Sequence, residues 1–355
     1  MLIQRSGGSR PWPGPLLLDA RALRAVLRPD ALLEAVSRSL AELDRGGLAV
    51  APTVHLPGEG GGFHLKSAFA STAPHRAVVK LNGNFPSNPE RFGLPTIQGV
   101  VALLDGERGR ILALMDSIVI TALRTAAVSA AAARCLARAD SRAITLIGCG
   151  AQGREHLGQL ARLFPLDEAR LFDRDRTAAE RLAEFARELG LSAIVAASAC
   201  EAARGAAIVV TATPATSPIL HLEDVAAGAF VAAVGADNPS KSELAPALLA
   251  ASLVVVDSRD LAAENGDLRA ALAAGAMSIR DVHGELPALM AGRIAGRSRP
   301  EQRFVFDSTG LAATDLAAAN LAYESTLADR GAPRFDFTAT DSSTRPPRRT
   351  PRRSR

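Results

Sequence analysis

The apolar run Ala143-Ile144-Thr145-Leu146-Ile147, followed at once by Gly148-Cys149-Gly150-Ala151-Gln152-Gly153, constrains this 355-residue chain more than any other feature. A continuous apolar run reads as a strand buried on both faces, and the glycines at its end follow the spacing G-x-G-x-x-G. Gly148 permits the tight turn, Gly150 lets backbone approach a pyrophosphate, and Gly153 allows close helix–strand packing. The helix opening at Ala151-Gln152 offers N–H donors and a favourable dipole to an anion. Asp173 ends the next strand, twenty residues past Gly153, where a carboxylate accepts hydrogen bonds from ribose hydroxyls. Asp173 disfavours a 2′-phosphate, whereas Arg174 and Arg176 attract one, so NAD is the expected cofactor and NADP the alternative.

The flanking pattern supports this reading. Strands fit at 143–148, 169–173, 192–196, 206–211, 229–234, 252–256 and 303–306, with helical segments such as 177–189 between most of them. That alternation implies α/β architecture with a doubly wound parallel sheet of the Rossmann type. Upstream, helices at 19–27 and 30–45 precede strands at 78–83, 96–105 and 111–116, the last two joined by a hairpin at 106–109. Residues 84–95, rich in Pro, Asn and Gly, read as loop. A long Ala-rich helix runs from 117 to 138 with Ser117 as its N-cap, and 309–328 reads as a helix folding back onto the first part.

Charge composition removes several function classes. The formal net charge is +4, but six Arg lie in 342–355 and no acid accompanies them. Without that tail, 35 basic residues face 37 acidic ones, so a nucleic-acid or membrane-surface role is not expected. Cys135, Cys149 and Cys200 give no disulfide framework and no zinc pattern. His55, His64 and His75 lack metal-ligand spacing and are expected in core or surface positions, so no metal is expected. The opening residues lack an apolar signal-peptide region, and the expected location is the cytoplasm. Only three of 41 basic residues are lysines, Lys66, Lys80 and Lys241, which marks them as positions where an amine is needed.

VVKLNGNFPSNPERFGLPTIQG (78–99), LALMDSIVITALRTAAVSAAAARCLAR, LIGCGAQG, VGADNPSKSEL (234–244) and FDSTGLAATDLA (306–317) together resemble the ornithine cyclodeaminase/mu-crystallin family. The matches keep family order over about 60–330. The resemblance implies hydride transfer between a nicotinamide and the Cα of an amino or imino acid. It assigns Lys80 to the substrate carboxylate near the reacting carbon, Arg124 to substrate and cofactor, and Asp237 to proton acceptance at the substrate nitrogen. Thr309 falls beside the substrate. Thr96, Thr125, Thr211, Thr213, Val234, Gly235, Lys241 and Ser308 fall on cofactor positions. These roles suit the chemistry, since an ammonium and a guanidinium clamp a carboxylate and deprotonation at nitrogen needs a base. Standing alone, Lys80 reads as an edge-strand lysine, Arg124 as a surface charge and Asp237 as a turn residue.

The chain departs from the family where an arginine near Pro52 commonly assists the carboxylate; Thr53 stands there instead. The family's Met-Pro pair is replaced by Phe63-His64-Leu65-Lys66, and Lys66 is expected to supply the missing cation. The implied domains are 16–125 with 309–330 for substrate and dimerisation, and 126–308 as the Rossmann domain. Residues 1–15 and the Arg-rich 331–355 are expected to be disordered. Ornithine cyclodeamination, reduction of a ketimine such as a pyrroline carboxylate, and alanine-dehydrogenase-type oxidation share one half-reaction and stay open. The rival class is a non-catalytic NAD(P)H-binding protein. A small amino-acid or cyclic imine substrate and a homodimer are the implied partners.

Overall fold

The structure is a computed structural model and describes residues 14–335. It opens with β1 (Leu16–Leu18), α1 (Ala20–Val26), α2 (Pro29–Asp44), β2 (Leu48–Val50), β3 (Val54–Gly58), β4 (Gly61–Ala70) and β5 (Arg76–Asn84). A short helix α3 (Asn88–Phe92) precedes β6 (Ile97–Asp105) and β7 (Ile111–Asp116). These strands form one sheet in the order β1-β7-β6-β5-β4-β2, with β3 beside β4. Every pairing is antiparallel except that of β1 with β7.

Two local expectations are corrected. Residues 84–95 are not all loop, because α3 forms with Pro89 in its first turn, where a missing N–H is tolerated, and Gly93 closes it at φ 64°. The N-cap of α4 (Ser117–Leu136) is Asp116 rather than Ser117: its carboxylate accepts the Val119 N–H at 3.0 Å. Asp116 keeps the extended backbone of the strand that runs directly into the helix, which is the conformation an N-cap requires.

The second sheet is assembled from alternating elements. β8 (Ala143–Ile147), α5 (Ala151–Leu160), β9 (Glu168–Phe172), α6 (Arg176–Glu188), β10 (Ser192–Val195), α7 (Ala199–Ala203) and β11 (Ile208–Thr211) come first. After them run β12 (Thr216–Leu220), β13 (Phe230–Ala233), β14 (Ser242–Leu244), α8 (Pro246–Ala250), β15 (Leu253–Val256), α9 (Arg259–Asn265) and α10 (Asp267–Ala273). The series closes with β16 (Gly284–Glu285), α11 (Leu286–Met290), β17 (Phe304–Asp307) and α12 (Ala312–Thr326). Eight strands pair in parallel in the order β10-β9-β8-β11-β13-β17-β15-β16, and β12 pairs with β14 apart from them. The order reverses direction between β8 and β11, the switch point where such sheets open a crevice at their strand ends.

Helix α4 joins the two sheets. It packs against α2 and β6 on one side and α5 and β13 on the other, and its alanines Ala126, Ala127 and Ala130 to Ala133 are buried. Small side chains let the neighbouring elements approach closely. By length and composition α4 could cross a membrane, yet 72% of its apolar window is buried inside the protein. His156 of α5 ties the pair together. Its Nδ1 lies 2.8 Å from the Gln152 carbonyl and so must donate, leaving Nε2 to accept from Ser129 of α4 at 2.9 Å. At the chain's other end, Leu17 donates to Pro333 and Phe335 to Pro15, so 331–335 lie along 14–17. The rest of the expected disorder in 1–15 and 331–355 falls outside the described residues.

Candidate active site

Strand alternation builds the floor of the site. Lys66 is paired with Lys80, His64 with Asn82 and Gly62 with Asn84 across β4 and β5, and His55 is paired with His64 across β3 and β4. Because residues two apart share a face, the sheet presents a row of lysines and then a row of histidines and Asn82. Asn84 stands one step further out. The walls come from α4 (Thr121, Arg124), the 237–238 loop and Thr309, all lining one cavity with Lys66 and Lys80.

At the cation row, Asp315 of α12 is the shared counter-ion. Lys80 Nζ lies 2.9 and 2.8 Å from its two carboxylate oxygens, and Arg124 Nε donates to Oδ1 at 2.9 Å. All three residues are buried. Burial would raise the Asp315 carboxyl, but Arg124 and then Lys80 outweigh it and hold it below the usual range. Burial also lowers the Lys80 amine to about 7, against the pull of Asp315. Lys66 enters the same cavity and donates to the carbonyls of Thr309 (3.0 Å) and Gly310 (2.8 Å). Thr53, where the family arginine was expected, also lines the cavity but brings no charge.

Two further buried carboxylates hold the surrounding loops. Asp257, at the end of β15, accepts from the Thr309 N–H and hydroxyl, both at 2.8 Å, and from Gly310 N at 2.5 Å; Ser308 Oγ is 3.5 Å away. Glu243 in β14 accepts from Thr211 Oγ1 (2.7 Å), Thr213 N (2.7 Å), Thr213 Oγ1 (2.8 Å) and Gly235 N (2.8 Å). It thereby fastens the loops after β11 and β13 to each other. Burial, with Asp267 adding to it, raises the Glu243 carboxyl to about 7. Asp237 stands across the cavity, half exposed and 2.7 Å from Lys241 Nζ.

The glycine loop lies at the end of β8. Gly148 adopts φ 94°, and a Cβ there would meet the Ala212 carbonyl at 2.4 Å. A Cβ on Gly153 would meet the Gly148 carbonyl at 2.3 Å, whereas one on Gly150, the N-cap of α5, meets nothing within 4 Å. Gly148, Gly150, Asp173, Arg174 and Thr213 line a crevice of about 1090 Å³. The Asp173 carboxylate accepts from Cys149 N at 2.7 Å and Asp175 N at 2.9 Å, which fixes it at the crevice edge. An open Gly150 face, uncapped N–H groups at the start of α5 and a fixed carboxylate suit a dinucleotide.

Of the residues singled out in the sequence, the structure brings Lys66, Lys80, Arg124, Asp237 and Thr309 together in one cavity, and Gly148, Gly150, Asp173, Arg174 and Thr213 in the crevice. Ala151, Gln152 and Gly153 form the first turn of α5. Val234 continues from β13, its N–H donating to Thr211. Thr125 spends its hydroxyl on the Thr121 carbonyl at 2.7 Å, and Thr96 lines neither space, its carbonyl accepting from Phe85. His55, an exposed residue, and His64, partly buried, both line the cavity with ring centroids 4.6 Å apart. Burial and the neighbouring His55 lower the His64 imidazole. Asp315, Asp257 and Glu243 were missed, although Asp315 and Glu243 lie within quoted motifs. Among the described residues no group of three or more His, Cys, Asp or Glu could hold a metal.

A crevice suited to a dinucleotide and a cation-lined cavity with a carboxylate at its edge fit a nicotinamide-dependent enzyme. The chain belongs to the Ornithine cyclodeaminase/mu-crystallin family, whose profile matches residues 16–330. Family members are NAD(P)-dependent reductases and cyclodeaminases acting on C–N bonds. The chain is 32% identical over 322 residues to the alanine dehydrogenase of Archaeoglobus fulgidus, covering 91% of this chain and 98% of that one. It is 35% identical to the ketimine reductase mu-crystallin of Mus musculus, covering 88% and 97%. Among solved structures, Thermococcus litoralis Delta(1)-pyrroline-2-carboxylate reductase in complex with NADH and L-proline superposes with a TM-score of 0.84 at 29% identity, covering 88% and 97%.

Proposed function

We propose that this protein interconverts a small amino acid and its imine, or reduces a small cyclic imino acid, by hydride transfer at the Cα–N bond. The observation that carries this reading is the convergence of Lys80 and Arg124 on Asp315 beside Lys66, facing Asp237 across one cavity. Lys80, Arg124 and Lys66 hold the substrate α-carboxylate, and Thr309 borders it. Asp237 accepts or returns the proton at nitrogen, and Lys241 keeps that carboxylate oriented. The glycine loop of Gly148, Gly150, Ala151, Gln152 and Gly153 receives the pyrophosphate, with Asp173 and Arg174 at the ribose. Thr211, Thr213, Val234, Gly235, Lys241 and Ser308 border the nicotinamide side, with Thr96 and Thr125 further out. When bound there, NAD(P) supplies or accepts the hydride.

A homodimer fits the outer face of the antiparallel sheet. Val54, Leu56, Phe63, Val79, Leu81 and Val100 alternate with the site residues and are 36–50% exposed. An apolar face of this kind calls for cover, and a related archaeal alanine dehydrogenase with bound NAD is a dimer. Light scattering of Leu81→Lys should show a monomer. The cytoplasm suits the free thiols of Cys135, Cys149 and Cys200.

The deciding experiment is a panel of amino acids and cyclic imines followed at the nicotinamide absorbance with NAD(H) and NADP(H). Stoichiometric NAD(P)H consumption with a cyclic imine identifies a reductase. Oxo-acid formation with NADH production identifies a dehydrogenase. Ammonia release from ornithine without net NADH change identifies a cyclodeaminase, and silence across the panel would leave only cofactor binding.

A further inference from the structure

Three spaces follow one another along the C-terminal edge of the parallel sheet. The crevice lies at the ends of β9, β8 and β11, where Asp173, Gly148 and Thr213 stand. The cation-lined cavity comes next, bordered by Asp237 after β13 and Thr309 after β17. A chamber of about 950 Å³ lies beyond it, at β15 and β16, bordered by Ser258, Leu261 and Glu285. Thr53, His55, His64, Asn238, Leu261 and Asn265 line both cavity and chamber, so the two communicate. The cavity thus has a cofactor side and, on the far side, an opening to this chamber.

That order bears on an imine. Hydride transfer uses the face of the trigonal carbon turned to the crevice, which leaves the face turned to the chamber for water. Of the six side chains at the opening, only the two imidazoles are bases. His64 is the inner one. It precedes Lys66 by two residues on the same face of β4, about 7 Å from the row that holds the carboxylate. Neither of its ring nitrogens has a hydrogen-bond partner among the described residues. The charged and titratable groups that face it are His55, Asp237, Lys66 and Lys241. Burial, and then His55, lower the imidazole, so at neutral pH it presents an unused lone pair. His55, exposed and edge-to-face with it, steadies the ring.

We propose that His64 is the general base that directs water onto Cα of the bound imine, so that the net reaction releases an oxo acid and ammonia. This deepens the functional reading above and rests on it. An O–H bond of water breaks, the oxygen bonds to Cα, the C=N π pair moves to nitrogen and His64 takes the proton. His64 then returns that proton to nitrogen and receives the hydroxyl proton as the C–N bond breaks, which leaves C=O and ammonia. Run backwards, the same steps build an imine from an oxo acid and ammonia. A cyclic imine arrives already formed and needs none of them.

The test compares two NAD(P)H-dependent reductions by the full chain: 2-oxo acids from pyruvate to 2-oxohexanoate with ammonium, and the cyclic imine pyrroline-2-carboxylate. The unaltered enzyme should aminate at least one oxo acid. His64→Gln should lower kcat for that amination about 10²-fold or more beyond any loss with the cyclic imine. In the oxidative direction, stopped-flow absorbance should show its first turnover of the matching amino acid close to the wild-type rate and its steady state far slower. Reduction of the cyclic imine without amination of any oxo acid overturns the proposal and leaves the functional reading standing. No turnover with either class overturns both. Equal losses in the two reductions, or in first turnover and steady state, mark a structural role and overturn the proposal, as does a variant with no loss.

Discussion

Lys66 and Lys80 are direct partners across β4 and β5, so two like charges stand with Cβ atoms about 5 Å apart on a buried face. Such a pair is unfavourable unless an anion lies between or beside it. Asp315 answers Lys80 and Arg124, while Lys66 bonds only to neutral carbonyls. The cavity is therefore charged in advance for one more carboxylate.

Substrate binding should accordingly take up protons. Burial holds the Lys80 amine at about 7, with Asp315 pulling it up and Arg124 and Lys66 pushing it down. As pH rises through that value the empty site loses its proton, and a bound carboxylate restores it. Affinity should thus fall above pH 7 by up to about tenfold per unit. Calorimetry in two buffers of different ionisation enthalpy should report uptake of about half a proton at pH 7, and Lys80→Met should remove it.

Asp237→Asn keeps the shape and the Lys241 contact but removes the base. We expect kcat to fall about 10²- to 10⁴-fold with substrate KM changed much less. A variant retaining full kcat would transfer the proton role to another group.

Glu243 acts on the cofactor through the loops it fastens. In Glu243→Gln an amide NH₂ faces two donors where a carboxylate oxygen accepted both, so the Thr213 and Gly235 loops separate. Charge-assisted bonds of this kind are worth about 1.5–3 kcal/mol. The KM for NAD(H) should rise about tenfold or more while substrate KM at saturating cofactor stays close to wild type. A purely structural role would lower both affinities and the melting temperature together.

Gly310 is a narrow point of the site. It has φ 86°, and a Cβ would lie 3.2 and 3.3 Å from the Arg124 Nη atoms and 3.4 Å from Lys66 Nζ. Gly310→Ala should cost about 1–2 kcal/mol in the left-handed conformation and displace both cations. Steady-state kinetics should show a raised substrate KM with cofactor KM little altered.

At the ribose end, the fixed Asp173 carboxylate should make NAD(H) the better cofactor, by about tenfold in kcat/KM over NADP(H). Asp173→Ala should narrow that ratio, because Arg174 is then unopposed. Equal use of both cofactors by the unaltered enzyme would contradict this account.

The glycine loop, the parallel strands and the long alanine helix were legible because each has a local signature of period, spacing or punctuation. Lys80, Arg124 and Asp237 were legible through quoted motifs, and Lys66 through the rarity of lysine. Their partners were not. Asp315 reaches Lys80 from 235 residues away, and no local pattern distinguishes it from other acids in helices. His55 and His64 became neighbours through the β3–β4 hairpin, whose strands hide in a glycine-rich stretch that lacks clean alternation. Asp257 follows a buried strand, and nothing local in the sequence distinguishes it from any other acid at a strand end, because its three bonds go to the distant Thr309–Gly310 turn.

That turn has a consequence of its own. The peptide group between Thr309 and Gly310 offers its oxygen to Lys66 and its N–H to Asp257, so a single amide dipole is stretched between a cation of one sheet and an anion of the other. It works as a rivet whose two heads lie in different halves of the protein. Replacing either charge would loosen the seam as well as the pocket, so Lys66 cannot drift to another residue while the Asp257 end is kept as it is.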